Sequence, residues 1–293
     1  MIHDPAPAFH ALFTAEQMRA TGVNAKIVVQ PLRSGVTVLF GSGANIAVLD
    51  GSEGKLMVDS GFAVSQAEVT KSLSKISSHP IRHLVNTHWH FDHTDGNEWI
   101  QASGASIIAQ TKTRLRMSQE QTIPEFQATF APSPAAALPS ILFEQTLEVK
   151  LNGENIRIRR YTPAHTDTDA SVYFEQADVL HTGDTWFNEI YPFTDYNSGG
   201  SIDGMIAASA ENLELAGPET LVIPGHGGIG TRNDLVEYHE MLLSVRLSVA
   251  ALKAKGASLE AVLAAQPTKP FDAKWGNGFI PSDLFLSFVY RGV

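Results

Sequence analysis

Short apolar runs alternate with turn residues along the first part of the chain. Aliphatic and β-branched residues dominate each run, and glycine, serine or aspartate ends it, which predicts a meander of short β-strands. A helical pattern precedes them and predicts an N-terminal helix over residues 9–22, ended by Gly22. The predicted strands are Lys26–Leu32, Val36–Phe40, Asn45–Asp50 and Lys55–Asp59.

The pattern then changes to helices that alternate with strands. Prolines and alanines dominate Thr122–Ser140, which predicts a surface flap or insert over about residues 120–140. The predicted helices before this flap cover 64–77, 94–102 and 111–119, and the predicted strands cover Ile81–Asn86 and Ala105–Ala109.

A second series of strands, again followed by helices, fills the rest of the chain. The repeated order predicts an α/β fold of two mixed β-sheets packed face to face with helices on the outside. We expect residues 1–293 to form a single domain with a C-terminal helical segment over about 231–293. The predicted strands are Leu142–Leu151, Asn155–Tyr161, Ala170–Glu175, Asp178–His181 and Thr220–Ile223, and the predicted helices lie near 202–216 and 231–254.

Composition narrows the classes of partner and of chemistry. The net charge of −10, without a cluster of lysine and arginine, argues against a nucleic-acid partner. No apolar run is long enough to span a bilayer, so we expect no membrane segment. The sequence contains no cysteine, which excludes thiolate ligands and a cysteine nucleophile. Any metal must therefore be bound by histidine and carboxylate side chains.

The first residues give an expectation about location. They lack the basic start and the uninterrupted apolar stretch of a secretory signal. We therefore expect a cytoplasmic protein, or a periplasmic one from which a signal was removed. The sequence leaves the oligomeric state open, and the expected partner is a small-molecule substrate.

Histidine and aspartate are concentrated where the predicted strand at Ile81–Asn86 ends. The stretch THWHFDHTDGN contains His88, His90, Asp92 and His93. In an extended segment residues two apart point the same way, so His88 and His90 can bind one ion. Four potential ligands within six residues do not easily surround one tetrahedral ion. Two adjacent ions are the simpler arrangement.

Three further candidate ligands each lie beside a turn at the end of a predicted strand. His165 follows Thr-Pro-Ala, Asp184 follows Thr-Gly, and His226 follows Pro-Gly. Loops carried by a rigid scaffold are where functional side chains concentrate. These three residues are therefore candidates to complete the same site.

The order and spacing of these motifs resemble the metallo-β-lactamase superfamily. The shared elements, from Asp59 to His226, are HxHxDH, a single histidine, an aspartate after Thr-Gly and a histidine in Pro-Gly-His. The resemblance implies a four-layer αββα sandwich that binds two zinc ions. It places His88, His90 and His165 at the first ion, Asp92, His93 and His226 at the second, and Asp184 between them as a bridge.

Two further roles follow from the resemblance. Asp59 would support the metal ligands from outside, and Asp92 would also orient a metal-bound hydroxide. Metal ligation lowers the pKa of water to roughly 7, and a second cation can polarise a carbonyl, so the site would hydrolyse substrates without a side-chain nucleophile. Iron and manganese accept the same ligands and are not excluded.

An aromatic loop follows Asp184 and suggests where a substrate binds. Trp186, Phe187, Tyr191 and Tyr196 would line an apolar pocket, with the hydroxyl of Tyr191 or Tyr196 near a developing oxyanion. The alternative is that these rings only pack the loop onto the body of the protein.

The charge of the chain bears on the substrate. The span from Tyr161 to Thr231 contains no lysine or arginine, although it should form one wall of the cleft. A strongly anionic substrate would need cations from elsewhere, for example Arg114, Arg116 or Lys274. This lack of cations weakens the case for glutathione thioesters and for the carboxylate of a β-lactam.

Together these features predict a dinuclear zinc hydrolase that uses a metal-bound hydroxide to open a small cyclic amide or ester, β-lactam-like or a lactone. The β-lactamase class with a cysteine ligand is excluded, because Asp184 stands at the matching position. A glyoxalase II-like thioester hydrolase is the alternative. A third hypothesis is a non-haem iron oxidoreductase resembling persulfide dioxygenases. Those enzymes use one iron with fewer ligands than the seven candidates present here.

Overall fold

Helix α1 is the first element of the structure, a computed structural model that describes residues 13–293. It spans Ala15–Val23, and residues 9–12 of the predicted N-terminal helix lie outside the described residues. The hydroxyl oxygen of Thr14 accepts a hydrogen bond from the N–H of Gln17, and the Gln17 side chain accepts one from the N–H of Thr14. This reciprocal cap fixes where the helix begins.

The first half of the chain forms most of a mixed sheet. Its strands are β1 (Val28–Pro31), β2 (Val36–Ser42), β3 (Ala44–Gly51), β4 (Gly54–Val58), β5 (Ile81–Val85) and β6 (Ser106–Gln110). Strands β1 to β4 pair antiparallel, as expected for a meander, and β5 and β6 continue the sheet in parallel. Parallel neighbours need crossover connections, and helices supply them.

Four helices connect or follow these strands. They are α2 (Gln66–Ile76), α3 (Phe91–Thr94), α4 (Asn97–Ala102) and α5 (Thr111–Met117). The single helix predicted over 94–102 is wrong, because α3 ends at Thr94 and α4 begins at Asn97. The backbone N–H of Gly96, between the two, donates to the carbonyl of Gly61, and this bond ties the break to the loop after β4.

The segment predicted as a flap contains regular structure. Strands β7 (Gln121–Ile123) and β8 (Ala128–Phe130) form an antiparallel hairpin. Ile123 and Phe126 are buried beneath it, so the hairpin is packed onto the body of the protein. The segment therefore adds a small two-stranded element instead of an irregular loop.

The single strand predicted over Leu142–Leu151 is wrong. Strand β9 (Ile141–Phe143) pairs in parallel with β6 in the first sheet, and β10 (Thr146–Leu151) begins the second sheet. The chain crosses between the sheets at Glu144 and Gln145. Apolar periodicity alone does not distinguish one strand from two that lie end to end in different sheets.

The second sheet is built from β10 and four later strands. These are β11 (Glu154–Arg160), β12 (Ala170–Phe174), β13 (Val179–His181) and β14 (Leu221–Ile223). Strands β10 to β13 pair antiparallel, and β14 pairs parallel to β13. The helices of this half are α6 (Ile202–Leu215), α7 (Arg232–Ala254), α8 (Leu259–Ala265), α9 (Asp272–Trp275) and α10 (Ser282–Gly292).

Alternating side chains show how the layers stack. Val38 of β2 and Ala47 of β3 face Ile158 and Val172 of the second sheet in one buried cluster. Neighbouring residues point the other way, because successive side chains of a strand alternate between its faces. On the outer face of the first sheet, the residues buried together are Leu39, Ile46 and Met57 with Val69 and Leu73 of α2.

The outer face of the second sheet is covered by the later helices. Leu180 of β13 and Val222 of β14 pack with Met205 of α6, Leu235 of α7 and Phe285 of α10. The molecule therefore consists of four stacked layers: helices, the first sheet, the second sheet and helices. The predicted α/β sandwich of two mixed sheets is confirmed. None of the helices described for residues 13–293 is long and apolar enough to cross a membrane.

Replacement of Phe285 by alanine should destabilise the protein strongly. Its ring is fully buried and stacks on Tyr191 with centroids 4.7 Å apart, so truncation leaves a cavity. We expect the free energy of unfolding, measured in urea, to fall by about 3–5 kcal/mol. The control Leu247→Ala removes a side chain that is 62% exposed and should change it by less than about 0.5 kcal/mol. Equal losses in both variants would contradict this packing of α10.

Candidate metal centre

The seven predicted ligands meet at one edge of the sandwich. The connection after β5, which includes α3, provides four of them, and three other connections, after β11, β13 and β14, provide one each. Each comes from a strand end, so the two sheets together fix its position. The residues that the structure brings together are His88, His90, Asp92, His93, His165, Asp184 and His226.

The ligand atoms fall into three overlapping groups. Within each group they lie within 4.8 Å of one another, a spacing that one cation can bridge. One group is His88, His90 and His165, which is the set expected for the first ion. The other groups are His88, His93 and Asp184, and Asp92, His93 and His226.

Asp184 lies between the two expected sites. Its Oδ2 is 3.5 Å from Nε2 of His165 and 3.4 Å from Nε2 of His226, and its Oδ1 is 3.2 Å from Nε2 of His93. One carboxylate therefore contacts histidines from both sets. This is the position that a bridging ligand requires.

A pair of facing lone pairs indicates a cation between His90 and His165. Nδ1 of His165 is 2.8 Å from the carbonyl oxygen of Phe193, and Nε2 of His90 is 3.0 Å from a carboxylate oxygen of Asp195, so in the neutral rings both outer nitrogens carry the proton. The inner nitrogens, Nε2 of His165 and Nδ1 of His90, then face each other as lone pairs only 2.8 Å apart. A cation bound to both relieves that repulsion.

Other buried atoms support the same conclusion. In the described part of the chain, Nε2 of His88, Nε2 of His93 and Oδ1 of Asp184 are buried without a hydrogen-bond partner. Such groups cost free energy unless something compensates them. Imidazole nitrogen and carboxylate oxygen are ligands for zinc, iron and manganese. The residues present therefore fit divalent metal ions.

Asp59 supports the ligands from the end of β4. It is fully buried, accepts hydrogen bonds from the backbone N–H and the hydroxyl of Thr87, and lies 2.7 Å from Nδ1 of His93. Thr87 in turn lies 3.1 Å from Nδ1 of His88. These contacts leave both Nε2 atoms to face the centre. Asp59 has φ 62°, a strained conformation that its many hydrogen bonds maintain.

The charges of the cluster favour ionised carboxylates. Burial opposes ionisation of Asp92, but the charge of His93 and the contact with His226 outweigh it and lower the pKa of Asp92 to about 2. Burial likewise lowers the pKa of His226, yet the charge of Asp184 and the hydrogen bonds of both aspartates raise it to about 9. The carboxylates and the imidazoles thus stabilise each other's charged forms, and the carboxylates of the centre attract positive charge.

Asn45 holds the turn that carries His226, and sequence reasoning missed it. Its backbone N–H donates to the carbonyl of Gly225, and its side-chain Nδ2 donates to the carbonyls of Pro224 and Gly227, each at 2.9 Å. The sequence did contain a signal for this role, because Asn45 is a polar residue within a mostly apolar strand. Asn45 belongs to β3 of the first sheet, so it joins this turn to the opposite sheet.

His181 extends the same connection to Asp184. Its Nε2 is 3.2 Å from the carbonyl oxygen of Asn45, and its Nδ1 accepts a hydrogen bond from the N–H of Gly183. The close approach also requires glycine nearby, because a Cβ on Gly225 would lie 1.8 Å from Oδ1 of Asp184. The turns of Asp184 and His226 are therefore positioned as one unit.

Of the four predicted pocket aromatics, the structure brings only Phe187 against the cluster. Its ring stacks on His226 with centroids 5.3 Å apart. Trp186 is fully buried in the core. The hydroxyl of Tyr191 donates to a carboxylate oxygen of Asp272, and that of Tyr196 donates to a backbone carbonyl of α10, so neither is turned toward the metal ligands.

Two phenylalanines that were not predicted also touch the cluster. Phe193 lies with its ring centroid 5.7 Å from that of His165 and 6.0 Å from that of His90. Phe279, from the C-terminal segment, lies 5.3 Å from His226. These rings exclude water from the histidines and leave the centre most accessible at His226, whose side chain is 11% exposed.

Residues 39–226 match the sequence model of a family described as the metallo-beta-lactamase superfamily. This match covers well over half of the chain. The chain belongs to the metallo-beta-lactamase superfamily. The resemblance inferred from the motifs is thereby confirmed, and members of this superfamily are mostly metal-dependent hydrolases.

Relatives in sequence carry hydrolase names. A hydroxyacylglutathione hydrolase of Rhodospirillum rubrum is 27% identical over 237 residues, which are 75% of this chain and 76% of that protein. Another, from a Polaromonas species, is 30% identical over 162 residues, which are 54% of this chain and 53% of that protein. This metallo-beta-lactamase superfamily chain thus matches only about half the length of the Polaromonas relative.

Solved structures share the fold. The sec-alkylsulfatase Pisa1 from Pseudomonas sp. has a TM-score of 0.69 at 16% identity, covering 96% of this chain and 56% of that one. A metallo-beta-lactamase from Pontibacter korlensis has a TM-score of 0.60 at 18% identity, covering 74% of this chain and 99% of that one. At these identities the likeness shows the superfamily fold alone.

Replacement of Asp184 by asparagine should remove bound metal. The substitution keeps the shape but removes the charge that lies between the two histidine sets, so we expect metal content to fall from about two ions per chain to about one or less. Elemental analysis of the purified variant measures this. Asp203→Asn, at a side chain that is 59% exposed, is the matched control and should keep full content. Unchanged content in Asp184→Asn would contradict the bridging role.

Replacement of Asn45 by alanine should weaken one metal site selectively. The variant loses two hydrogen bonds to the His226 turn, whereas His88, His90 and His165 keep their own partners. We expect the metal affinity of the site formed by Asp92, His93 and His226 to fall about 10- to 100-fold. Titration against a chelator measures this affinity. The exposed Asn24→Ala serves as control. An equal loss at both sites would indicate general unfolding instead.

Proposed function

We propose that this chain is a dizinc hydrolase that opens a small cyclic amide or ester without an anionic group, such as a β-lactam-like compound or a lactone. The observation that carries the proposal is the buried ligand cluster, whose facing lone pairs need cations, next to a cleft that offers anions little attraction. His88, His90 and His165 would hold one ion, and Asp92, His93 and His226 the other. Asp184 would bridge them.

Two cations in this cluster would generate a nucleophile from water at neutral pH and polarise the carbonyl under attack. The chain's own residues determine how the substrate arrives. The buried histidines His88, His93 and His165 close the inner side, so the reacting carbonyl would approach past Asp92 and His226. Asp92 is ionised, and its carboxylate can accept a hydrogen bond from the attacking water and orient it.

The proposal of a substrate without an anionic group rests on how the candidate anchoring cations are engaged. Arg116 pairs with Asp167, and Arg114 donates to the carbonyl of Pro139. Lys274 pairs with Glu237. The three cations considered as anchors therefore already have partners. A substrate with a strong anionic group would have to break one of these contacts.

A thioester hydrolase is the second candidate, and the named relatives favour it. Two hydroxyacylglutathione hydrolases are 27% and 30% identical to this chain. Their substrate class shares the attacked carbonyl but has a thiolate leaving group. It carries the carboxylates of glutathione, which the engaged cations described above would bind poorly. The same argument weighs against a sulfate ester as substrate.

A hydrolysis panel with the zinc-loaded protein tests these proposals. We expect kcat/KM for uncharged lactones to exceed that for a glutathione thioester by about 10- to 100-fold, because the thioester's carboxylates lack free cations. Acyl-homoserine lactones and β-lactams complete the panel. A preference for the glutathione thioester would establish the second candidate. Oxygen uptake by protein with about one iron per chain would overturn both hydrolase assignments.

A further inference from the structure

A cleft of about 680 Å³ adjoins the turn that carries His226. The turn after Phe187 forms one side of it, and the segment that includes α9 forms the other. The residues that matter for its chemistry are Asn188, Glu189, Ile190, Gly227, Lys274 and Asn277.

The cleft lies beside the candidate metal centre, because Gly227, which lines it, follows His226 in the chain. The backbone N–H of Asn188 donates to the carbonyl of His226 at 3.0 Å, while Nε2 of the same histidine faces Asp92 at 3.2 Å. His226 thus contacts both Asn188, which lines the cleft, and the candidate ligand Asp92. A substrate held at the metal ions can extend a second group into this cleft.

Three side chains of the cleft, Asn188, Glu189 and Asn277, have unused hydrogen-bond acceptors. Nδ2 of Asn188 donates to the carbonyl of Gly228, and Nδ2 of Asn277 donates to the carbonyl of Ala273. These bonds fix both amides, and each Oδ1 is left to accept. Glu189 is exposed and has no hydrogen bond or ion pair from its carboxylate among the residues described.

The cation of the cleft is already compensated. Nζ of Lys274 pairs with Glu237 and lies 5.1 Å from the ring centroid of Trp275. Lys274 and Glu237 together add no net charge. The carboxylate of Glu189 therefore gives the cleft a negative charge, and this agrees with the net charge of the chain.

The backbone positions Glu189 at a conformational cost. Its φ is 59°, in the left-handed region that glycine or asparagine adopts more readily. The neighbouring Ile190 packs so closely on Gly278 that a Cβ there would lie 2.5 Å from it, which fixes the turn against the opposite wall. The strained turn is thus rigidly packed and presents the glutamate beside the cleft.

We propose that this cleft is a substrate subsite that selects a positively charged hydrogen-bond donor, such as an ammonium group, attached to the amide or ester being hydrolysed. An ammonium has three N–H donors and no acceptor, which matches the two amide oxygens and the carboxylate. The proposal rests on the proposed function, because it assumes that the reacting carbonyl lies at the metal centre.

Three lactones on one scaffold, ending in an ammonium, a hydroxyl or a carboxylate, test the subsite. We expect KM for the ammonium compound to be about 2- to 5-fold lower than for the hydroxyl compound, the range of an exposed charge pair. Glu189→Gln should reduce this ratio toward one. Glu148→Gln, at an exposed glutamate on the distant strand β10, should leave the ratio unchanged. Equal KM values for all three lactones would overturn the proposal.

Direct binding separates this proposal from the proposed function. If none of the lactones is hydrolysed by the zinc-loaded protein, the proposed function fails for this class. Calorimetric titration of the ammonium compound then still measures the subsite. Binding that weakens about 2- to 5-fold in Glu189→Gln but not in Glu148→Gln supports the subsite. Absence of binding, or equal weakening in both variants, overturns it.

Discussion

The structure depends on lone pairs that face one another inside a dry pocket. Nε2 of His165 and Nδ1 of His90 approach to 2.8 Å while their outer nitrogens are held by Phe193 and Asp195. Two such lone pairs repel, and burial prevents water from relieving them. The surrounding fold must therefore hold the rings in place with its own packing. Cations then bind to a site whose geometry the protein has already imposed.

Both sheets hold the candidate ligands in place, and neither sheet carries all of them. Asp59 ends a strand of the first sheet and supports His93, whereas Asp184 and His226 follow strands of the second. Asn45 connects the two, because it lies in the first sheet and hydrogen-bonds to the turn of His226. Packing of one sheet on the other is thus also assembly of the site. A loss of that packing should therefore weaken metal binding first.

Local sequence pattern predicted the layers and indicated candidate ligands, and the resemblance added Asp59 as their support, but the supporting contacts of Asn45 and Asp195 were not predicted. The HxHxDH stretch is visible because its residues are adjacent in the chain. The contact of Asp195 with His90 joins residues 105 positions apart, and that of Asn45 with Pro224 joins residues 179 apart. No periodicity reports such pairs. The crossing between sheets near Glu144 was missed for the same reason, since two collinear apolar runs look like one strand.

Substrate choice follows from what stands outside the cluster. Members of one fold differ in chemistry through the residues grafted around a common centre, so the ligands alone do not distinguish an amide from a thioester. Here the aromatic rings of Phe187 and Phe279 enclose His226, and the hydroxyls of Tyr191 and Tyr196 hold the C-terminal segment in place instead of facing the centre. Cations held by the candidate ligands would then supply the stabilisation of a developing oxyanion. The polar side chains beside these rings would contact the rest of the substrate. Their hydrogen-bond acceptors favour a substrate that carries hydrogen-bond donors.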